Sequence, residues 1–509
     1  MTEANMLQDY ARRILTARVY DVAIESPLDV APQLSRRLES RVLLKREDLQ
    51  PVFSFKLRGA YNKIMHLSAA DRARGVIAAS AGNHAQGVAL AAQTLGIRAV
   101  IVMPQTTPEI KVSSVRQRGA KVVLHGDTFD EAYIHARALE KEKGYAFVHP
   151  YDDPTVIAGQ GTIAMEILRQ HPDPIDAVFV PVGGGGLIAG MAAYIKYLRP
   201  DIRVIGVEPE DAACLKAALA AKKRVVLPEV GLFADGVAVA QVGEETFRIA
   251  RKTVDEVITA STDEICAAIK DFFEDTRSIA EPAGALAIAG MKNWIAREKC
   301  TGRTFVAVAS GANMNFDRLR HISERTELGE KREAILAVTI PERPGAFKAF
   351  CQALGKRNIT EFNYRFSSTK RADVFVGLQL ARPGDREALV EVLRGKDYPV
   401  IDMTDNEMAK LHVRYMVGGH PPLVGKQELI FRFEFPERPG ALMKFLDRLG
   451  QHWNISLFHY RNHGAAYGRV LAGFQINPGE RRAVENSLRE LGYPFTDETD
   501  NPAFALFLR

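Results

Sequence analysis

The chain contains few cysteines, and none of them is spaced for a metal site or a disulfide framework. Its 509 residues include four, at Cys214, Cys266, Cys300 and Cys351, and no two of them form a Cys-x-x-Cys pair. A disulfide-stapled secreted domain and a cysteine-bound zinc site are therefore not expected. The opening MTEANMLQDYARR also lacks the apolar run of a secretory signal. These absences predict a cytoplasmic protein.

An excess of one charge is lacking as well. The formal net charge is only +5 and no long basic run occurs, so nucleic acid is not an expected partner. Residues 177–195 carry no charge and are long enough to cross a bilayer. Pro181 and four successive glycines would break a spanning helix in its middle. We therefore predict a buried strand, a tight loop and a packed helix there, and no membrane contact.

From about residue 40 to 320, short apolar runs alternate with helical patterns. The whole chain is long enough for about three or four domains. Six runs are predicted to be strands: 75–80, 99–104, 121–126, 177–182, 204–209 and 305–310. Continuous apolar strands are typical of a parallel sheet that is covered on both faces. The pattern predicts an α/β region with two doubly wound lobes.

A repeat follows residue 332. The hexapeptide PERPGA begins at Pro341 and again at Pro436, and an Asn-Ile pair recurs at Asn358 and Asn454. Each copy predicts a strand, a Pro-Gly turn, an amphipathic helix and a strand ending in Tyr-Arg. A spacing of about 95 residues indicates two copies of one small α+β domain, with a Gly/Pro-rich linker candidate at 417–426. Duplication for stability alone is possible, but regulation or assembly is favoured because neither copy looks catalytic.

Two lysines near the first predicted lobe could supply a reactive amine. Lys45 lies in a charge run and is interpreted as solvated or salt-bridged. Lys56 has apolar neighbours, Phe53, Phe55 and Leu57. An apolar pocket disfavours the ammonium form and lowers the lysine pKa, as Schiff-base chemistry requires. The alternative is a surface lysine whose stem lies along aromatic rings.

Two loops between a predicted strand and a helix could bind an anion. In SAGNHAQG (80–87), Gly82 allows an unusual turn, and the first amides of the helix can face a carboxylate or a phosphate. Asn83 and His84 could instead be helix caps. In PVGGGGLIAG (181–190), the glycine run suits a phosphate cradle of backbone amides. It matches neither a P-loop nor a dinucleotide fingerprint, and close packing is the alternative explanation.

A third candidate loop is SGANMNF (310–316), which ends the last predicted strand of the α/β region. Ligands in open α/β sheets collect at the carboxyl ends of strands. Ser310 is therefore expected to reach into such a crevice, although an ordinary turn hydroxyl explains it equally well.

The order of these elements carries more information than any one of them. With SFKLRGA, SAGNHAQG, GGGGL and SGAN in succession, the chain resembles the threonine/serine dehydratase family of fold type II pyridoxal-phosphate enzymes over nearly its whole length. The tail resembles the paired ACT-like domains of the biosynthetic threonine dehydratases. The resemblance implies a catalytic domain at 1–325 with a smaller lobe at about 45–150. It also implies ACT-like regulatory domains at 333–410 and 427–509.

The resemblance assigns a role to each matched residue. Lys56 is the catalytic residue that binds pyridoxal 5'-phosphate as a Schiff base, Asn83 bonds the cofactor's phenolic oxygen, and Ser310 meets its pyridine nitrogen. The residues expected to hold the cofactor phosphate are Gly183, Gly184, Gly185, Gly186 and Leu187. Those expected to hold the substrate carboxylate are Ser80, Ala81, Gly82, Asn83 and His84. Glu281, in AEPAGALA, matches a further family element without a firm role.

The implied reaction is the dehydration and deamination of L-threonine to 2-oxobutanoate and ammonia, the first step of isoleucine biosynthesis. Isoleucine is the expected inhibitor and valine an activator, bound near 343–347 and 438–442, and a homotetramer is the expected assembly. Some relatives bind a divalent ion through an acidic stretch that corresponds to 208–214 here. Cys214 replaces a carboxylate in that stretch, so no metal is expected.

Three other functions remain open at this point. The nearest is another fold type II lyase, such as a serine dehydratase or a threonine synthase. A catalytically inactive amino-acid-binding regulator is the second. A nucleotide-binding oxidoreductase is the third, although its fingerprint is absent.

Overall fold

The computed structural model of the chain describes residues 3–341, 346–355, 357, 359–366, 371–380, 382, 384–413, 427–436, 453–461 and 467–508. Its contacts divide the chain into two units, 1–322 and 323–509. Within the described ranges, every helix is too short or too polar to cross a membrane.

The first unit alternates strands and helices along the chain. Its strands are β1 (Leu28–Val30), β2 (Arg41–Arg46), β3 (Val76–Ala79), β4 (Ala99–Met103), β5 (Lys121–Leu124), β6 (Ala146–Phe147), β7 (Ala177–Pro181), β8 (Arg203–Pro209), β9 (Glu256–Ala260) and β10 (Thr304–Ala309). Its α-helices are Glu3–Leu15, Pro32–Arg37, Lys56–Met65, Ala69–Arg74, Asn83–Leu95, Glu109–Arg116, Phe129–Lys143, Pro154–Gln170, Gly186–Leu198, Cys214–Ala221, Glu244–Thr253, Thr262–Thr276 and Pro282–Glu298, and a further helix, Arg318–Gly329, spans the boundary between the units. Short 3₁₀ turns lie at Glu47–Leu49, Glu210–Ala212 and Asp235–Val237.

Two sheets organise this unit. The larger has the order β1-β2-β10-β7-β8-β9 and is parallel except for β1, and the smaller has the parallel order β5-β4-β3-β6. Crossover connections put helices on both faces of each sheet. All six predicted strands are present, and the α/β prediction with two doubly wound lobes is confirmed. Four strands were not predicted, because β1 and β6 are very short and β2 and β9 contain charged residues.

The uncharged run at 177–195 has the predicted form. β7 is fully buried, a turn follows it, and the helix Gly186–Leu198 is buried over its first ten residues. The glycines end the strand and allow the turn, so the apolar residues pack inside the larger lobe.

A buried ionic cluster lies beside the helix that begins at Lys56. Lys45 and Arg58 pair with Glu47 and Glu166, and all four side chains are completely buried. Lys45 Nζ lies 2.6 Å from Glu166, and Arg58 lies 2.8 Å from Glu47. The salt-bridged interpretation of Lys45 is therefore right and the solvated one is wrong. Because two positive charges face two negative ones, the cluster leaves no net charge in the interior.

The second unit contains two sheets of the same design. Its strands are β11 (Glu333–Pro341), β12 (Ile359–Phe366), β13 (Arg371–Gln379), β14 (Val400–Asp402), β15 (Gln427–Pro436), β16 (Asn454–Arg461), β17 (Tyr467–Ile476) and β18 (Phe495–Asp497). Its described helices are Ala346–Leu354, Asp385–Arg394, Glu407–Leu411, Arg481–Leu491 and Pro502–Phe507. The sheet orders β12-β13-β11-β14 and β16-β17-β15-β18 are antiparallel throughout. The prediction of a duplicated α+β domain is confirmed.

The duplication extends to single hydrogen bonds. Ile335 N donates to Thr404 Oγ1 at 3.0 Å in the first copy, and Ile430 N donates to Thr499 Oγ1 at 3.1 Å in the second. These contacts fix each copy's last short strand against its first. Both predicted Pro-Gly turns, the predicted helix of the second copy and the linker at 417–426 lie outside the described residues.

Candidate active site

Lys56 begins the helix Lys56–Met65 and its amine lies in a desolvated place. The side-chain Nζ donates to the carbonyl of Pro150 at 3.1 Å and lies 5.3 Å from the centre of the Phe55 ring. Burial lowers the pKa of this amine to about 8, although the negative charge of Glu281 acts in the opposite direction. The shift has the direction expected from the apolar neighbours, but Phe53 does not contribute as supposed because its side chain is largely exposed.

Asn83 is the first residue of the helix Asn83–Leu95, and its side chain is held from both ends. Its Nδ2 donates to Glu281 Oε1 at 2.6 Å, while its Oδ1 accepts from Asn313 Nδ2 at 2.7 Å. The two partners determine which way the amide faces, because one accepts and the other donates. Asn83 is therefore not a helix cap here. The second hydrogen on its Nδ2 can be donated to a bound ligand.

Glu281 is the buried carboxyl group of this site. Burial raises its pKa to about 7, and the nearby negative charge of Asp235 adds to the effect. Near neutral pH the group therefore exchanges a proton readily. The Cα of Gly311 lies against it, since a Cβ at that position would stand 2.5 Å from Glu281 Oε1.

The loop 80–84 leads from β3 into the helix that begins at Asn83. Ser80 is buried, and its Oγ accepts from Gly82 N at 3.2 Å and Ala85 N at 3.3 Å. His84 is buried, and its Nε2 lies 2.8 Å from the carbonyl of Val148. Burial lowers the pKa of His84 to about 3, and the charge of Lys56 adds to that effect. The imidazole is therefore neutral, and it does not cap the helix.

The remaining members of this loop, Ala81 and Gly82, are partly exposed. Gly82 is the residue before the helix, and a Cβ there would meet no atom within 4 Å. Since the first amides of a helix have no intrahelical acceptor, the N–H groups of Asn83 and His84 can serve a bound carboxylate.

The glycine run packs closely against neighbouring segments of the chain. A Cβ on Gly184 would overlap the ring of Tyr151, and a Cβ on Gly183 would stand 2.9 Å from the Cα of Val237. Gly185 has φ +91°, a left-handed conformation that favours glycine. Close packing and anion binding are thus not alternatives here, because the same glycines allow both.

The carbonyl partners of the run determine where its amides point. The carbonyl of Gly183 accepts from Cys214 Sγ at 3.5 Å, and that of Gly184 accepts from Thr246 Oγ1 at 2.8 Å. In a trans peptide the following N–H points away from the carbonyl. The amides of Gly184 and Gly185 are therefore directed away from these partners. With Gly186 and Leu187, which open the next helix, they offer a group of N–H donors.

Ser310 directly follows β10 and is buried. Its Oγ donates to the carbonyl of Ala283 at 3.1 Å, and its own carbonyl accepts from Phe55 N at 3.3 Å. Phe55 directly precedes Lys56, so this contact fixes the start of the lysine helix. A hydroxyl has one proton, so Ser310 can donate to a ligand only by leaving Ala283.

Two further features join these residues, and sequence reasoning did not single them out. Pro150 accepts from Lys56, and the ring of its neighbour Tyr151 packs on Gly184. The segment HPYDD (149–153), with a histidine, a tyrosine and two aspartates directly before a helix, was the available signal. Asn313 was present in the recognised SGAN motif, but its bond to Asn83 depends on the fold.

Comparison with known proteins identifies the family. A profile described as pyridoxal-phosphate dependent enzyme matches residues 20–311, and one described as the C-terminal regulatory domain of threonine dehydratase matches 324–413 and 422–508. The biosynthetic L-threonine dehydratase of Burkholderia multivorans is 57% identical over 98% of this chain and 99% of that protein. The corresponding Escherichia coli protein is 56% identical over 98% of this chain and 97% of its own length.

A solved structure agrees with these matches. The processed form of threonine deaminase isoform 2 from Solanum lycopersicum is 52% identical and aligns with a TM-score of 0.62 over 63% of this chain and 93% of that chain. The chain belongs to the biosynthetic threonine dehydratase family of pyridoxal-phosphate-dependent enzymes.

The geometry fits the cofactor of this family. Pyridoxal phosphate has an aldehyde, a phosphate, a phenolic oxygen and a ring nitrogen, and each needs a different partner. The chain offers a deprotonatable amine at Lys56, a group of N–H donors at 184–187, an amide hydrogen at Asn83 and a hydroxyl at Ser310. The family's cofactor chemistry therefore has a suitable group for each contact.

The lowered pKa of Lys56 gives a direct prediction. About one tenth of an amine with a pKa of about 8 is neutral at pH 7, against well under one hundredth for an ordinary lysine. In cofactor-free protein, we expect the rate of Lys56 acylation by a small reagent to rise with pH and reach half its limit near pH 8. Peptide mass spectrometry measures the modification, with an exposed lysine as the internal reference. A midpoint equal to that of the reference lysine would contradict the account.

The packing of Gly184 gives a second prediction. In Gly184→Ala the new methyl group displaces the loop from the Tyr151 ring, and one or two hydrogen bonds to the phosphate are lost. Since a bond to a charged group is worth about 1.5–3 kcal/mol, cofactor affinity should fall about tenfold or more. Equilibrium dialysis measures the Kd. The double variant Gly184→Ala/Tyr151→Ala makes room for the methyl group and should bind more tightly than the single variant; equal affinity of the two would exclude this steric cause.

Proposed function

We propose that this chain dehydrates and deaminates L-threonine to 2-oxobutanoate and ammonia with pyridoxal phosphate, as the first step of isoleucine biosynthesis. The observation that carries the proposal is the desolvated amine of Lys56, which donates to Pro150 and follows Phe55, whose N–H donates to the carbonyl of Ser310. Full-length similarity to biosynthetic threonine dehydratases supports the choice of reaction.

The proposed roles follow from what each group can donate or accept. Lys56 holds the cofactor and its Nζ, once released, takes the proton from the substrate Cα. Asn83 faces the phenolic oxygen, and Ser310 faces the ring nitrogen. The group that holds the phosphate is Gly183, Gly184, Gly185, Gly186 and Leu187. The bound cofactor supplies an electron sink for the negative charge that develops at Cα.

The loop Ser80, Ala81, Gly82, Asn83 and His84 is proposed to bind the substrate carboxylate through backbone N–H groups. His84 suits this place because it is neutral and buried, so it adds no competing charge. A fixed carboxylate orients the Cα–H bond toward Lys56. This orientation lowers the entropic cost of reaching the reactive geometry. Loss of the β-hydroxyl as water, followed by hydrolysis, then gives the oxo acid and ammonia.

A serine beside the ring nitrogen favours elimination. A carboxylate there would hold a proton on the nitrogen and stabilise negative charge strongly. A hydroxyl does so less, so loss of the β-hydroxyl competes better with return of the proton. This argument supports elimination in general, and it does not separate threonine from serine, since one methyl group is worth only about 1–3 kcal/mol.

Feedback control belongs to the same proposal. Residues 1–325 form the catalytic domain with its smaller lobe at about 45–150, and 333–410 and 427–509 form two ACT-like regulatory domains. Isoleucine inhibits and valine activates, and the enzyme is a cytoplasmic homotetramer. The match of a regulatory-domain profile to 324–413 and 422–508 supports this division. The segments first considered for the effectors, 343–347 and 438–442, lie outside the described residues or have undescribed side chains.

The proposal is tested by supplying threonine to the purified holoenzyme and following 2-oxobutanoate. We expect kcat/KM for threonine to exceed that for serine by about tenfold. Lys56→Ala should be inactive, isoleucine should inhibit, and valine should relieve the inhibition. Formation of pyruvate from serine with a higher kcat/KM would favour a serine dehydratase, and no product from either amino acid would favour an inactive regulator.

A further inference from the structure

The helix Arg318–Gly329 carries two arginines on one face. Arg318 and Arg325 are seven residues apart, which is about two turns, so their side chains leave the helix in nearly the same direction. Both side chains are almost fully buried. A buried guanidinium needs fixed partners, and the two arginines find them in different parts of the chain.

Arg318 is anchored to a turn of the catalytic unit. Its Nη1 lies 3.3 Å from Asp235 Oδ1, its Nη2 donates to the carbonyl of Leu232 at 3.2 Å, and its guanidinium lies 5.9 Å from the centre of the Phe233 ring. A charge pair, a carbonyl and an aromatic face thus hold one side chain. The first turn of the helix and the loop 232–235 must therefore move together.

Arg325 is anchored to the first regulatory repeat. Its two terminal nitrogens donate to the two carboxylate oxygens of Glu407 at 3.1 and 2.7 Å. Lys410 Nζ lies 2.6 Å from the same carboxylate. A bidentate arginine pair is directional as well as strong, so the orientation of the helix Glu407–Leu411 is tied to that of Arg325.

Asp235 connects Arg318 to the smaller lobe. Its Oδ2 lies 2.6 Å from Lys111 Nζ, and Lys111 belongs to the helix Glu109–Arg116. One carboxylate is thus shared by a lysine of the smaller lobe and the arginine of the connecting helix. If Arg318 moves, Asp235 must either follow it or keep Lys111 as its partner and accept water in place of Arg318.

The turn Asp235–Val237 also touches the candidate active site. Val237 packs against Gly183, and Gly236 lies beside Asn83 and Glu281, at 3.8 and 3.7 Å from a Cβ position. A small displacement of this turn would therefore change both the glycine run and the amide of Asn83. Neither contact requires Arg318 to approach the substrate or the cofactor.

We propose that Arg318 couples the effector state of the regulatory unit to the active site by holding or releasing the turn Asp235–Val237. The inference rests on the proposed feedback inhibition and names the residue through which it acts. Arg325 and Glu407 fix the regulatory end of the same helix. Arg318 is a positioning residue, since it acts through the turn and touches no reacting atom.

The test separates binding of isoleucine from its effect. In the full-length holoenzyme, Arg318→Met keeps an unbranched stem over Phe233 and removes the charge. We expect calorimetry to give an isoleucine Kd within about twofold of the wild type, while the fold-inhibition of threonine deamination at saturating isoleucine falls about tenfold or more.

Three further variants of the chain serve as controls. Arg318→Lys retains a positive charge and should recover part of the inhibition, and Arg325→Met should uncouple as Arg318→Met does. Arg12→Met replaces an arginine whose side chain is 80% exposed and should behave as the wild type. A variant that simply misfolded would lose isoleucine binding, and partial recovery by the lysine variant excludes that cause.

Two outcomes would overturn the proposal. Wild-type inhibition in Arg318→Met would mean that the arginine only anchors the helix. Loss of isoleucine binding together with inhibition, in both the methionine and lysine variants, would place the residue in the regulatory fold and not in the coupling. The wild-type measurement tests the proposed function separately. A wild-type enzyme that deaminates threonine but is not inhibited by isoleucine would refute the feedback part of the proposed function, and this inference with it.

Discussion

An amine can attack an aldehyde only after it has lost its proton, and burial makes that loss easier for Lys56. In water well under one hundredth of a lysine amine is neutral at pH 7, whereas burial lowers the pKa of Lys56 to about 8 and raises the neutral fraction to about one tenth. The site can maintain this only if the lysine stays out of solvent. A buried ionic cluster helps to hold the helix that begins at Lys56 in place, because Arg58 of that helix pairs with Glu47 and Glu166. Lys45 pairs with Glu166 as well, so the cluster adds no net charge.

The other groups of the site also add little buried charge. The proposed phosphate site consists of backbone amides at the start of a helix, so it requires no buried arginine. Glu281 has a pKa of about 7 and His84 one of about 3, so both can be neutral while Lys56 changes its protonation state. Asp235 forms ion pairs with Lys111 and Arg318. These pairs connect segments of the chain and do not involve the residues proposed to contact the cofactor or the substrate.

Local sequence rules predicted the parts of the fold that depend on local physics. Apolar runs predicted the six main strands, and the glycine run predicted the turn after β7, because burial and backbone freedom are properties of the residues themselves. The solvated alternative for Lys45 was wrong, since its charge is balanced by Glu166, a residue 121 positions away. Phe53 was expected to line the lysine pocket, but its backbone has φ +54° and its ring faces outward. Such outcomes depend on which distant segments meet.

The same limit applies to the site. Lys56, Asn83 and Ser310 could be selected because motif order resembles a known family, although each residue alone had an ordinary explanation. The bond between Asn83 and Glu281 and the packing of Tyr151 on Gly184 join residues far apart in the chain. No periodicity or spacing contains that information, so the sequence alone reveals neither the contact of Glu281 nor that of Tyr151.

The central claim is that Lys56, and no other lysine, holds the cofactor. Reduction of the cofactor-loaded protein with borohydride, followed by proteolysis and mass spectrometry of the peptides, tests it directly. The account predicts a single pyridoxyl label on Lys56, with Lys45 unmodified and the visible absorption band lost on reduction. A label on another lysine, or no label at all, would contradict it.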